Sequence, residues 1–223
     1  HIINKDIDIG IKYNFEPLIK IMEYLKDKKI KKFICFTTIL LYKNQKSKKD
    51  FSEKNKTDPY KNNYIFSKHL MEEVVNFYKN KVPSIVVRLT NIYGYSKLRR
   101  PDLVPTIMQD IFRKKTVSVW SKKPVRDFIF AEDAADAVVS LLKSDFTGIV
   151  NIGTGESFSV KKLTDLISNI SNKKISSLNK KVNGPYKFLT NINLLKKKTK
   201  WKKKFNLEEG LKKTYNIMKS YYK

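Results

Sequence analysis

Residues 31–38 read KKFICFTT: two lysines, the apolar run Phe33-Ile34-Cys35-Phe36, then Thr37-Thr38. A short unbroken apolar run, with no alternation of polar residues, predicts a strand buried on both faces of a parallel sheet. A second such run, SIVVRL, lies at 84–89. Between them residues 43–62 are polar and read as a loop, and Tyr64 to Tyr78 reads as a helix. Before the first strand, EPLIKIMEYLKD at 16–27 sets Leu18, Ile21, Met22 and Leu25 at helical spacing. Beyond the second strand come a helix over 102–114, a short strand over 117–120 and an amphipathic helix over 132–143. The strand Ile149 to Ile152 is closed by Gly153 and Gly155, and further helices are expected at 159–170, 191–198 and 207–221. Strand and helix alternate, which predicts an α/β fold with a parallel sheet.

At 223 residues, the chain is long enough for one large domain or two small closely packed ones. With 41% hydrophobic and 12% aromatic residues it is not a disordered chain. No apolar run approaches the roughly 20 residues of a membrane span. One cysteine, Cys35, and two histidines, His1 and His69, exclude a disulfide framework and a cysteine zinc site. No metal is expected. The 47 Lys and Arg against 21 Asp and Glu give a net charge of +26. Such a charge can attract nucleic acid. Here, however, the lysines are scattered along helices and in runs such as 196–198 and 202–204, without the aromatic-basic interleaving of a nucleic-acid module. A soluble, cytoplasmic protein that does not bind nucleic acid is the expectation.

The chemistry starts at Tyr64-Ile65-Phe66-Ser67-Lys68. Four residues are about one helical turn, so the phenol and the ammonium share a face. A nearby cation favours phenolate and lowers the tyrosine pKa, which suits a general acid/base for a sugar or alcohol hydroxyl. Tyr-x-x-x-Lys alone is weak in a chain with 12 Tyr and many Lys. It has company: Thr37-Thr38 ends the first strand, where doubly wound sheets hold ligands. Arg88-Leu89-Thr90-Asn91-Ile92-Tyr93-Gly94 ends the second, followed by Leu103-Val104-Pro105, Arg126-Asp127-Phe128-Ile129 and Asn151-Ile152-Gly153-Thr154-Gly155.

With Thr199-Lys200-Trp201 and Leu207-Glu208-Glu209-Gly210-Leu211 added, the ordered set resembles the extended short-chain dehydrogenase/reductases. Within them it is similar to the NAD-dependent nucleotide-sugar epimerase/dehydratase family typified by UDP-glucose 4-epimerase. The likeness runs from about residue 11 to the C-terminus. It implies a Rossmann-like doubly wound parallel sheet with a smaller mixed α/β C-terminal substrate-binding subdomain. The expected boundaries are 1–91 and 121–146 for a partial NAD-binding domain, and 92–120 and 147–223 for a nucleotide-sugar-binding subdomain.

The resemblance implies roles residue by residue. Tyr64 is the acid/base, Lys68 holds the nicotinamide ribose and lowers the Tyr64 pKa, and Thr38 orients the reacting hydroxyl. Asn14 and Thr37 lie with Tyr64 and Lys68 beside the cofactor NAD. Asn91 and Arg126 hold the diphosphate of a nucleotide-diphosphate sugar, and Val119 and Trp120 lie against its base. Simpler readings stand beside these: Asn91 as a turn cap, Arg126 as partner of Asp127 or Asp133, Trp120 as core, Glu53 as a loop-ordering group and Cys35 as an inert core thiol. The family's first strand-turn-helix, with its Gly-x-x-Gly-x-x-Gly phosphate loop, has no counterpart in the sequence, so the 223 residues are expected to be an N-terminally truncated piece without activity of its own. A homodimer is left open.

Within the family, dehydratases follow the strand-end Thr with Asp-Glu; Ile39 and Leu40 stand here instead. The expected reaction is therefore epimerisation, by removal and return of hydride at one sugar carbon. The alternatives are a ketosugar reductase and a catalytically silent module that binds NAD or nucleotide sugar. A basic nucleic-acid binder built on the same fold is a further, less favoured reading.

Overall fold

The structure, a computed structural model, describes residues 2–43, 50–96, 102–182 and 186–222. Its strands are β1 (Phe33–Thr38), β2 (Ser84–Leu89), β3 (Asn91–Tyr93), β4 (Val117–Val119), β5 (Val125–Arg126), β6 (Phe128–Phe130), β7 (Gly148–Ile152), β8 (Phe158–Ser159) and β9 (Ile175–Ser177). Its helices are α1 (Ile7–Gly10), α2 (Glu16–Leu25), α3 (Asn63–Phe77), α4 (Leu103–Arg113), α5 (Ala131–Leu142), α6 (Val160–Ser171), α7 (Asn193–Lys198) and α8 (Leu207–Tyr221). Part of the loop expected over 43–62 falls at 44–49, outside the described residues.

The chain forms two compact units. The first comprises His1–Thr90, Val138–Ile152 and Thr190–Trp201. Its sheet has the order β1-β2-β7 with every pairing parallel, as the apolar runs predict. Ile85, Val86, Val87 and Arg88 are all buried, so β2 is covered on both faces. Helices α2 and α3 bring Leu18, Met22, Val74 and Val75, with Tyr78 at the C-cap of α3, onto Cys35 and Val86, which face each other across β1 and β2. α3 starts where the Asn62 side chain accepts from the Ile65 N–H at 3.0 Å, an N-cap that satisfies one orphan donor.

The second unit comprises Asn91–Ala137, Gly153–Leu189 and Lys202–Lys223. It holds three two-stranded pieces: β3–β6 and β4–β9 parallel, β5–β8 antiparallel. Its core gathers Val104, Ile107, Met108, Leu163, Ile167 and Leu211 with Tyr93, Phe128 and Phe130. A reciprocal capping box between Asn206 and Glu209 opens α8.

These limits differ from the expected boundaries. Residues 121–137 group with the second unit, while 147–152 and 190–201 group with the first. The reason lies in pairing: β7 hydrogen-bonds to β2 and completes the parallel sheet. The helix expected from residue 16 is preceded by α1 and a π-helical turn at Ile11–Phe15, whose apolar residues Ile7, Ile9, Ile11, Tyr13 and Phe15 alternate every second position and so show no helical period. The two- and three-residue strands β3, β5, β6, β8 and β9 are too short to carry a periodic signal. Among the described residues no helix is long and apolar enough to cross a membrane.

Two motifs meet in the second unit. Tyr93 crosses α8 at Gly210, where an added Cβ would lie 2.9 Å from Tyr93 Cζ and closer still to its oxygen. The Tyr93 hydroxyl donates to the Leu207 carbonyl at 3.2 Å. Gly210→Ala is expected to force these groups apart and destabilise the protein by about 1–3 kcal/mol. A thermal melt followed by circular dichroism reads this as a lowered Tm; an unchanged Tm contradicts the close approach.

Candidate active site

The parallel register sets Thr37, Arg88 and Asn151 side by side across β1, β2 and β7. All three are buried and polar, so each requires a partner. Glu72 of α3 supplies two of them. It accepts from Arg88 Nε at 2.9 Å and from Arg88 Nη2 at 2.5 Å, and from the Thr37 hydroxyl at 2.8 Å. The pair is 5% exposed on each side. Burial disfavours the guanidinium charge, but the hydrogen bonds and charge of Glu72 outweigh it and raise the Arg88 pKa above the ordinary arginine value. Removing one partner of such a pair costs about 3–5 kcal/mol. The guanidinium also lies 4.8 Å from the ring centroid of Tyr42, whose hydroxyl donates to Asn151 Oδ1 at 2.7 Å. Asn151 Nδ2 in turn donates to the carbonyls of Phe51 and Asn191. Glu53 accepts from the Asn151 N–H at 2.8 Å and so satisfies a donor on the edge strand β7.

Around this row stand the residues that sequence assigned to chemistry. Lys68, one turn before Glu72 on α3, sends its ammonium to the Phe36 carbonyl of β1 and to Met71 Sδ, each at 3.4 Å. Both contacts are long, and a thioether is a weak acceptor, so an ammonium with three donors is poorly satisfied there. Burial pushes its pKa below the ordinary lysine value. Thr38, two residues beyond Phe36, caps the 3-10 turn Ile39–Leu41 by accepting from the Leu40 N–H at 3.2 Å. Lys61 holds the same turn through the carbonyls of Leu40 and Tyr42. Tyr64 is half-buried near the start of α3, with its N–H donating to Asn4 Oδ1 at 3.0 Å. Asn14 donates to the Ser67 hydroxyl at 3.1 Å, and that hydroxyl donates to the Tyr64 carbonyl at 2.9 Å. The N-terminal segment is thus fastened along the turn of α3 that carries Tyr64 and Lys68. Thr37 sends its hydroxyl to Glu72 and the Val87 carbonyl.

In the second unit Asn91 Nδ2 donates to the Asp127 carbonyl at 3.0 Å, next in sequence to Arg126. The half-buried Arg126 gives its Nη1 to the carbonyls of Val125 and Tyr186 at 2.9 and 3.2 Å. Its described hydrogen bonds therefore go to carbonyls, and burial pulls its pKa below the ordinary arginine value. The Asp127 carboxylate is fully buried and accepts from the N–H groups of Thr154 and Gly155 and from the Thr154 hydroxyl. Asp133 likewise accepts from the N–H groups of Lys204 and Phe205. Val119 is buried in the core, whereas Trp120 is 63% exposed. Beyond Trp120 a groove of about 370 Å³ is lined by Lys123, Lys180, Lys181 and Tyr186.

Residues 4–153 match the family described as the NAD dependent epimerase/dehydratase family. The chain belongs to that family. Membership carries NAD dependence, as the sequence motifs lead one to expect. The chain is 34% identical over 140 residues to the GDP-6-deoxy-D-talose 4-dehydrogenase of Aggregatibacter actinomycetemcomitans, covering 62% of this chain and 47% of that protein. It is 26% identical over 213 residues to the UDP-glucuronate 4-epimerase of Thermodesulfobacterium geofontis, covering 92% and 65%. The chain thus spans about half to two thirds of the length of these curated relatives. In fold it is similar to the UDP-glucose 4-epimerase of Thermotoga maritima, whose crystal structure contains UDP-glucose. That likeness has a TM-score of 0.91 at 22% identity and covers 100% of this chain and 74% of the other.

The roles of Glu72, Tyr42, Asp127 and Asp133 were not read from this epimerase/dehydratase sequence. One signal was there: a charged Arg88 inside an apolar strand demands a buried acid, and Glu72 lies one turn beyond Lys68 on the face turned to the sheet. Cys35 is 2% exposed, and burial pushes its thiol pKa up to about 12. It is expected to resist alkylation in the native protein at pH 8 and to react fully in denaturant. Rapid labelling without denaturant, read by mass spectrometry, contradicts its placement.

Proposed function

We propose that this protein is an NAD-dependent nucleotide-sugar epimerase that oxidises one carbon of the sugar ring and reduces it again from the other side. The observation that carries the reading is the poorly satisfied ammonium of Lys68, held at the end of β1 four residues after Tyr64. A desolvated cation that lacks strong acceptors favours ligand oxygens and stabilises a neighbouring phenolate. Lys68 and Asn14 fit a cofactor ribose, the first through these spare donors and the second through its place beside Ser67 on the same helix.

Bound NAD supplies the acceptor, and later the donor, of the hydride at the sugar carbon. Tyr64 takes the proton of the sugar hydroxyl as that carbon is oxidised and gives it back on return. Thr38 already accepts from Leu40, and its own proton can orient the sugar oxygen. Arg126 and Asn91 hold the diphosphate: a guanidinium with donors beyond Nη1 grips phosphate oxygens, and the lysine-lined groove of the second unit adds positive charge. Trp120, exposed, offers a face to a nucleotide base. With Ile39 and Leu40 after Thr38, no acid and base stand there for loss of water.

The relatives support carbon 4 as the position. Both the 4-dehydrogenase and the 4-epimerase are named for it. The dehydrogenase also supports a second reading, a reductase that turns over NAD(H) stoichiometrically.

In the full-length protein, Tyr64→Phe is expected to lower turnover about a hundredfold or more with little change in nucleotide-sugar affinity. Lys68→Met is expected to weaken NAD binding as well. Conversion of UDP- or GDP-sugars followed together with NADH absorbance separates the two readings. Interconversion without net NADH loss supports the epimerase, and one NADH per product supports the reductase. Full activity of Tyr64→Phe contradicts both.

A further inference from the structure

We infer that Glu72 and Arg88 are positioning residues for the reaction, a buried clamp that sets the depth of Tyr64 and Lys68 relative to Thr38. The inference rests on the roles proposed above for those three residues.

Tyr64, Lys68 and Glu72 follow one another at successive four-residue steps on α3, along the side of the helix from which Lys68 and Glu72 reach β1. Glu72 is held to the sheet by short hydrogen bonds. Its carboxylate takes Arg88 bidentately from β2 and the Thr37 hydroxyl from β1. Thr37 is the neighbour of Thr38, and Thr37 and Arg88 are partners in register. One side chain therefore ties the reactive helix to both strands at the level where Thr38 stands. The Lys68 contacts at 3.4 Å are too long to fix that depth themselves. Apolar packing lower on α3, through Val74 and Val75, is non-directional and does not by itself fix the angle of the helix on the sheet. A bidentate guanidinium–carboxylate pair does, because both of its bonds are directional.

The clamp touches no reacting atom in this scheme, so its contribution should appear in kcat and not in nucleotide-sugar affinity. Replacing both partners of a buried ion pair by apolar residues of similar volume commonly preserves stability. The test therefore uses the double variant Glu72→Leu/Arg88→Met in the full-length protein, alongside Tyr64→Phe. We expect the double variant to keep a near wild-type Tm and an unchanged KM for the nucleotide sugar. Its kcat should fall about 10- to 100-fold, the effect of a misplacement of order 1 Å. The second variant, Thr37→Val, leaves the ion pair intact and removes one bond of the clamp. It should lower kcat about fivefold at unchanged KM for the nucleotide sugar. Wild-type kcat in a folded double variant, with Tyr64→Phe inactive, overturns the clamp and leaves the proposed function standing. Should the double variant not fold, wild-type kcat in Thr37→Val overturns it in the same way. Full activity of Tyr64→Phe takes down the clamp and the function together.

Discussion

Arg88 sits inside a strand whose other interior residues are apolar, and the first unit is arranged around keeping its charge tolerable. A guanidinium cannot shed its proton, so a buried one must be paired or the strand must leave the core. Glu72 answers this from α3, and the pairing then dictates where that helix lies. The carboxylate has capacity beyond the guanidinium, which Thr37 uses. The face of the guanidinium is covered by Tyr42, whose hydroxyl needs an acceptor and finds Asn151. Each group in the row is satisfied by the next, and each belongs to a different segment. A network of this kind raises stability little over an apolar core, but it penalises every alternative register.

The second unit meets the same problem with carboxylates and backbone. Asp127 and Asp133 are buried, and each accepts from main-chain N–H groups of a loop remote in sequence. The acids close the turns after β7 and before α8 by accepting from these N–H groups. Arg126 lies beside one of these acids, yet its described hydrogen bonds go to carbonyls. Among the described residues this division gives Arg126 hydrogen bonds through Nη1 alone, in a partly buried setting.

The packing supplies a physical reason for several of the ordered motifs by which the sequence resembles the family. Gly210 is a glycine because Tyr93 passes over α8 at that residue. Asn151 is an asparagine because a donor and an acceptor are both needed at the level of Arg88. Glu53, read as a loop-ordering group, holds the outer edge of β7. The same packing separates neighbours that the motifs treat alike: Thr38 caps a turn while Thr37 is turned to Glu72.

Sequence by itself determined the parallel sheet, the long helices and the spacing of Tyr64 and Lys68. These depend on local periodicity and on the length of apolar runs, which a chain displays without folding. It did not determine the limits of the two units, because β7 joins β2 through pairing between segments far apart in the chain. The partners of Arg88, Asp127 and Asp133 were equally hidden. A buried charge announces in sequence that it needs a partner, but which partner is decided only when register and helix packing bring one within hydrogen-bond distance. Among the short strands of the second unit β4 was expected, while β3, β5, β6, β8 and β9 belong to the same class, since two or three residues hold no period and become strands only when another segment lies beside them.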